Sequence, residues 1–374
     1  MPVRLLHTAD WQIGKRFSGF GDEAGVLLCV QRLKTVERVA ALAAERNVDV
    51  VLVAGDVCET NTVKDETLRR LMNATRAFGG PWILLPGNHD SALVESVWTR
   101  MQRLGLPGNL RLALTPEPIL LLGDSLAILP APLQRRHEAR DITEWFDEAK
   151  TPDHAVRVGL AHGSVANRLP RPSEAPNTIA DDRSERARLD YFALGDWHGT
   201  LGIAPRTWYS GTPEPDRFRD NDPGNVLIVA LDGPGAAPIV ERVPVGHFCW
   251  TSIEQRVSRE EDANTLDESL AAAPEPERIV AELRLSGTVD LALRRRIEDV
   301  VARHAARYHV LRTDMEALVA EPTDDDLDRI DRMGFIRAAI DELRLRARNP
   351  ADPEQQTARA ALERLYVEHL RLGG

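Results

Sequence analysis

Along the first 245 or so residues, apolar runs of the Val-Leu-Leu type alternate with stretches whose apolar positions recur every three or four residues. The runs predict buried strands at 3–8, 49–54 and 82–85, and the periodic stretches predict helices at about 23–46, 64–78 and 93–104. On the first helix Leu33, Val36, Val39, Ala40 and Ala43 share one face, which sets that face on a sheet. This opening is a βαβαβ series. From about residue 110, shorter runs at 119–122 and 126–129 are separated by Gly-Asp and Pro turns, a pattern that predicts hairpins in place of crossovers. Further strands are expected at 155–161, 190–194, 206–210, 225–231 and 238–243. Crossovers followed by hairpins predict an α/β fold of two packed mixed β-sheets flanked by helices.

Pro244 and Gly246 mark a boundary. Beyond it the pattern predicts a strand at 248–257, a helix at 260–272, a strand at 279–285, a helix at 290–307 and a strand at 308–314, a small βαβαβ domain. After the acidic turn at 321–326, a helix carries Leu327, Ile330, Met333, Ile340 and Leu343 on one face. Asn349-Pro350 breaks it, and a last helix carries Ala358, Leu362, Leu365, Tyr366 and Leu370. The expected division is therefore 1–245, 246–318 and 319–374. Two terminal amphipathic helices can cap their own domain or dock on a partner, and the pattern alone leaves both open.

A chain of 374 residues exceeds one typical domain. Its net charge of −11 argues against coating nucleic acid by bulk attraction, although a local basic path could still hold phosphates. The basic residues are nearly all Arg, with lysine only at 15, 34, 64 and 150. Cys29, Cys58 and Cys249 have no metal-like spacing and cannot all pair with one another, which suits a reducing cytosol. No apolar stretch approaches the roughly 20 residues that span a bilayer, so a cytoplasmic protein is expected.

Five polar motifs, each just past an apolar run, carry the chemistry: Asp10-Trp11-Gln12, Gly55-Asp56, Gly87-Asn88-His89-Asp90, His162-Gly163 and Gly195-Asp196-Trp197-His198. Strand carboxyl ends are where sites on α/β sheets collect. Hydrolysing a phosphodiester needs an activated water, neutralised phosphoryl charge and help for the departing alkoxide, which two cations about 3.5 to 4 Å apart can supply. Asp10, Gln12, Asp56, Asn88, His162, Asp196 and His198 offer the oxygen and nitrogen ligands, with Asp56 as the natural bridge. His89, next to a ligand, is placed to contact substrate and protonate the leaving oxygen. Trp11 and Trp197 flank the site in sequence, either as packing residues or as surfaces for a base or sugar.

This ordered set resembles the calcineurin-like metallophosphoesterase superfamily, and within it the SbcD-type DNA repair nuclease subunits. His7-Thr8-Ala9-Asp10-Trp11-Gln12-Ile13-Gly14 is similar to that group's opening, and Tyr209-Ser210-Gly211-Thr212-Pro213-Glu214 to its segment after the last ligand pair. The resemblance implies an αββα sandwich, one metal held by Asp10, Asp56 and His198 with Gln12 nearby, and a second held by Asp56, Asn88, His162 and Asp196. It also implies His89 as the catalytic histidine, a small domain that caps the site and steers DNA, an SbcC-like coiled-coil ATPase docked on the C-terminal helices through Leu327, Ile330, Met333, Ile340 and Leu343 or through Leu362, Leu365 and Tyr366, and a homodimer. Two positions depart from the pattern, since Gln12 and Asp196 stand where the family has histidines. The oxygen-rich set favours manganese or magnesium over zinc.

The leading expectation is a metal-dependent DNA nuclease. The other readings are a phosphodiesterase or phosphatase on a small nucleotide or a phosphoprotein, with the last helices packed on their own domain, and a scaffold that binds without cutting.

Overall fold

The computed structural model describes residues 2–170, 177–320, 324–330 and 334–371. The chain divides into two compact units, 1–249 and 250–374.

The first unit contains two six-stranded sheets. Its elements are β1 (Val3–Thr8), α1 (Asp22–Glu45), β2 (Val50–Val53), α2 (Asp65–Ala74), β3 (Trp82–Leu84), α3 (Val97–Gly105), β4 (Leu110–Leu112), β5 (Ile119–Leu121), β6 (Leu126–Ala131), β7 (Val156–His162), β8 (Ser164–Val165), β9 (Thr178–Ile179), α4 (Arg183–Arg186), β10 (Tyr191–Gly195), β11 (Leu201–Ala204), β12 (Thr207–Tyr209), β13 (Asn225–Leu231) and β14 (Ile239–Pro244). One sheet runs in the order β14-β13-β1-β2-β3-β4, the other β11-β12-β10-β7-β6-β5, and β8 pairs with β9 apart from both. β1 to β4 pair in parallel, with β13 and β14 added antiparallel at one edge.

Alternation within the strands builds the layers. Val50 and Leu52 face the other sheet, in a core that also takes Leu5, Ile83, Leu126, Ile128, Val158, Leu160 and Tyr191. Val51 and Val53 face the opposite way, onto the helices through Val36, Val39, Leu68, Trp98 and Met101. Each such fully buried Val or Leu contributes about 1.5–3 kcal/mol.

Three expectations change. The strands after residue 110 are not mainly hairpins: β5–β6, β11–β12 and β13–β14 are antiparallel, but β6, β7, β10 and β12 pair in parallel. Their unbroken apolar character is that of strands buried on both faces, and among the described residues their crossovers carry only short helical turns that leave little periodicity to read. The third helix begins at Val97, not at 93, because Ser96 and Thr99 form a reciprocal cap at its first turn. On α1 the buried face includes Gln31, Arg32 and Thr35, while Leu33 is only half-buried.

In the second unit β15 (Cys249–Arg256), α5 (Glu260–Ala271), β16 (Ile279–Val289), α6 (Leu291–Ala305) and β17 (Val310–Ala320) form the small βαβαβ pattern, with a three-stranded sheet in the order β15-β16-β17. Cys249, the first residue of β15, is counted with the first unit. β16 and β17 run past the expected ends through a bulge between Arg284 and Ser286. Gly287 at φ 131° follows that bulge, where a Cβ would lie 2.0 Å from the Val257 carbonyl oxygen.

α7 (Asp324–Ile330), α8 (Phe335–Arg348) and α9 (Gln355–Arg371) belong to this second unit and pack on one another. Leu327, Ile340, Ala347, Ala358 and Leu362 are buried together, with Ile330, Leu343 and Leu365 against them. Tyr366 meets Leu291 of α6, and Arg294 pairs with Glu363 at 3.5 Å. The apolar face of the terminal helices is thus covered within its own unit, so Leu327, Ile330, Ile340, Leu343, Leu362, Leu365 and Tyr366 are not the exposed docking face expected of them: they pack on one another and on α6. Phe335 and Leu345 remain exposed, at 90% and 74%. Met333 and residues 321–323 of the acidic turn lie outside the described residues, as does the side chain of Leu370. Among the described residues no helix is long and apolar enough to cross a membrane.

Candidate metal centre

The carboxyl ends of β1, β2 and β3 in one sheet and of β7 and β10 in the other meet at one edge, and all five motifs converge there. Ligand atoms of Asp10, Asp56 and His162 lie within 4.8 Å of one another. Asn88 Oδ1 is 2.8 Å from His162 Nε2, Asp196 Oδ1 is 3.9 Å from the same nitrogen, and His198 Nε2 is 3.9 Å from Asp10 Oδ1. Gln12 joins through Nε2, which donates to Asp56 Oδ2 at 2.8 Å. Every candidate ligand singled out in the sequence reaches this site, and His89 lies beside it with Nε2 3.9 Å from Asp56 Oδ2.

Backbone conformations that the sequence does not announce make the convergence possible. Asp10, Gln12, Asp56, Asp196 and His198 all adopt positive φ, between 48° and 105°, a region that costs a side-chain-bearing residue free energy and persists only where surroundings fix it. Here the Asp10 amide donates to Gly55 O (3.1 Å) and the Gln12 amide to Asp56 O (2.9 Å). Arg32, buried on α1, grips the same turn: Nε donates to Trp11 O at 2.7 Å, and the terminal nitrogens donate to Asp10 O (3.2 Å), Glu214 O (3.0 Å) and Thr212 Oγ1 (3.0 Å). The motif glycines supply room. A Cβ on Gly87 would lie 2.2 Å from Asp56 Oδ1, and one on Gly195 would lie 2.0 Å from Ala54 O.

The three histidines are oriented alike. Nδ1 of His162 faces Ala54 O at 2.8 Å, that of His89 faces Glu59 O at 3.0 Å, and that of His198 faces Asp216 Oδ1 at 3.4 Å. A proton on Nδ1 leaves the Nε2 lone pair for a cation or a substrate proton, the usual orienting shell of a ligating imidazole. Arg217 also approaches His198 Nδ1 (3.2 Å), yet it pairs with Asp216 through Nε (3.0 Å), so the carboxylate stays the acceptor when Nδ1 carries the proton. Asp216 is anchored further by Lys15 Nζ at 2.8 Å, which lies 3.9 Å from Glu59 as well. Burial opposes its charge, but His198, Arg217 and Lys15 hold Asp216 well below the usual carboxylate range.

The electrostatics show a site short of positive charge. Burial pushes the Asp10 carboxyl up, and burial together with nearby Asp56 raises Asp90 to about 7. Burial alone would lower His162, but Asp56, Asp10 and Asp196 around it lift it to about 9, so the imidazole holds a proton. Asp56 goes the other way: against burial, His162 and His89 keep it below its ordinary value. Gln12 Oε1 is buried without a hydrogen-bond partner. An orphaned acceptor, clustered carboxylates and an imidazole recruiting a proton are together what divalent cations would satisfy, so the donor set fits the metals the resemblance implies.

Two flanking aromatic residues are packing groups. Trp11 is buried edge-on to Trp82 at 5.9 Å with Nε1 bonded to Thr8, and Trp197 packs beside the Phe146 and Phe192 cluster. Sequence reasoning missed Arg32, Lys15 and Asp216. Arg32 lay four residues before Val36, inside an apolar face, and Asp216 two residues past the Tyr209–Glu214 segment; those were the available signals.

The family profile described as calcineurin-like phosphoesterase matches residues 3–230. The DNA double-strand break repair protein Mre11 of Methanosarcina mazei is 25% identical over 290 residues, covering 73% of this chain and 44% of that protein. The SbcD chain of the nuclease SbcCD from Bacillus subtilis is 27% identical over 256 residues, covering 56% of this chain and 61% of that protein. The chain therefore spans about half the length of the Mre11 relatives it matches. A solved structure from Thermus thermophilus aligns at 11% identity and a TM-score of 0.39, over 66% of this chain and 100% of that one. With a profile match over most of the first unit and the five motifs gathered at one edge, this chain belongs to the calcineurin-like phosphoesterase family.

Proposed function

We propose that the chain is a metal-dependent DNA nuclease that hydrolyses phosphodiesters at the edge where β1, β2, β3, β7 and β10 end. The observation that carries this reading is the meeting of seven ligand-type side chains from five strand ends, each backed by its own hydrogen bonds; relatives named as a DNA double-strand break repair protein and as a nuclease subunit support DNA as the substrate.

Asp10, Asp56 and His198, with Gln12 beside them, would hold one cation, and Asp56, Asn88, His162 and Asp196 the other. Such ions supply an activated water and offset phosphoryl charge. With Gln12 and Asp196 adding oxygen where an imidazole could stand, manganese or magnesium is the expected metal. The chain does the rest. His89 is 29% exposed, against 10% or less for the side chains of Asp10, Asp56, His162 and His198, so it stands at the mouth where a strand would arrive. Its Nδ1 is tied to Glu59 O, which turns Nε2 to the substrate for proton exchange with the leaving oxygen. Asn88 is fixed by His162 and contributes a neutral oxygen.

We assign an SbcC-like coiled-coil ATPase as partner, seated on the exposed face of α8 where Phe335, Ala338 and Leu345 fall at three- and seven-residue spacing. A homodimer, which the resemblance implies, is tested by light scattering of the purified chain. A small-substrate phosphodiesterase is the second reading, favoured by the closure of α7, α8 and α9 on their own unit.

The deciding experiment measures cleavage of single- and double-stranded DNA with manganese, alone and with the ATPase. The nuclease reading predicts cleavage that His89→Asn lowers by about 10²–10⁴-fold while cation binding is unchanged. No manganese-dependent cleavage under either condition contradicts it.

A further inference from the structure

The loop that leaves β6 supplies no candidate ligand, yet hydrogen bonds hold it between two loops that do. Because β6 and β7 are parallel, with Ala131 opposite Ala161, the residues after Ala131 emerge beside His162. Leu133 accepts from the Ala92 amide at 2.8 Å, and its own amide points to Pro86 O at 3.5 Å, so it brackets the Gly87-Asn88-His89-Asp90 turn. On the other side Asn177 donates to Arg136 O (3.2 Å) and accepts from the Glu138 amide (2.8 Å), while its carbonyl takes the Ser164 amide (3.0 Å), two residues past His162. A Cβ on Gly163 would lie 2.2 Å from that same carbonyl oxygen, so the approach depends on glycine there.

Between these anchors the loop presents Arg135, Arg136, His137 and, a little further on, Arg140, all exposed or partly so. None of the three arginines forms an ion pair among the described residues. Arg32, Arg100, Arg157 and Arg183, by contrast, are engaged by protein acceptors; what marks the three is their place on one loop held beside the candidate metal centre. The neighbouring Asp141 is no counter-charge for them, since Arg183, Thr143 and the Ala180 amide occupy its oxygens. On a molecule of net charge −11, three guanidinium groups outside any ion pair, with Glu138 the one carboxylate between them, leave this loop locally basic.

We propose that this loop, through Arg135, Arg136 and Arg140, binds the phosphates of a nucleic-acid strand whose scissile bond lies at the metal centre. It rests on the nuclease reading above and adds the surface that separates a polymer from a small diester. Guanidinium groups suit phosphate oxygens through paired N–H donors. Lost phosphate contacts weaken binding at every sequence and flatten its dependence on salt.

The test compares the full chain with its Arg135→Ala/Arg136→Ala/Arg140→Ala variant and with the same three positions changed to Lys. Two quantities are measured: binding of a fluorescent single-stranded DNA across a salt series, and manganese-dependent hydrolysis of bis-p-nitrophenyl phosphate, a diester too small to reach the loop. The alanine variant is expected to lose about tenfold or more in DNA affinity, and its log–log salt slope to shrink by about 2 to 3. Hydrolysis of the small diester should be unchanged, and the lysine variant should recover most of the affinity. If the alanine variant binds DNA with unchanged affinity and slope, or loses small-diester hydrolysis in parallel with DNA binding, the proposal is overturned while the nuclease reading stands. A wild-type chain that hydrolyses the small diester but has no measurable affinity for DNA overturns the polymer substrate, and this proposal with it.

Discussion

Asp216 shows how far the candidate centre depends on residues outside the proposed ligand set. Its carboxylate faces His198 Nδ1 and is held by Lys15 and Arg217, fixing the ring so that Nε2 is free. Asp216→Ala should weaken one of two manganese sites by about 10–100-fold and leave the other unchanged, as read by calorimetric titration. His162 gives a second prediction. The carboxylates around it lift it to about 9, so a cation that takes Nε2 must displace a proton, cation affinity rises with pH up to about 9, and proton release accompanies binding. Titrations in buffers of different ionisation enthalpy measure that release; none at pH 7 would contradict the assignment of His162 as a ligand. Gln12→His should shift preference toward zinc by adding an imidazole, and unchanged metal preference would show that residue 12 stays outside the coordination sphere. At this scale the sequence was legible in the convergence of its candidate ligands, because Asp, Asn, Gln and His at strand ends can be picked out from the apolar runs before them. It was silent on Asp216 and Lys15, because a charged residue in a loop looks the same whether it braces a histidine or meets solvent.

Among the elements, α1 carries the largest surprise. Its apolar spacing gave the correct sheet-facing side at Val36, Val39, Ala40 and Ala43, but the same side carries Arg32, whose guanidinium satisfies the carbonyls of Asp10, Trp11 and Glu214. The helix thus braces the first ligand turn as well as covering the sheet. Lys at 32 cannot reproduce the planar fork, and each buried carbonyl left without its donor costs about 1–3 kcal/mol. Arg32→Met should therefore lower the melting temperature and loosen cation binding together, while Arg38→Met on the exposed side of the helix should leave cation binding unchanged. The parallel pairing of β6, β7, β10 and β12 was hidden for a related reason. Without long amphipathic crossover helices, the stretches between those strands resemble turns.

For the whole molecule, the packing of one sheet on the other passes through His7. Its ring donates through Nε2 to Leu194 O (3.1 Å) and accepts through Nδ1 from the Tyr191 hydroxyl (2.9 Å), and burial lowers it from 6.5 to about 3. The neutral ring is the form that fits. Its contribution to stability is complete above about 6.5 and is lost progressively as pH falls from there towards 3, about 4–5 kcal/mol at the acid limit. A His7→Gln variant should lose stability less steeply over that interval in denaturant titrations; parallel curves for the two proteins would remove His7 as a source of acid sensitivity.

The measurement that tests the central claim most directly is anomalous X-ray diffraction from crystals grown with manganese. The account predicts two peaks about 3.5 to 4 Å apart, both touching Asp56, one bordered by Asp10 and His198 and the other by Asn88, His162 and Asp196. Full-occupancy manganese elsewhere with no peak among these residues, or a single ion that leaves Asp56 uncoordinated, would contradict it.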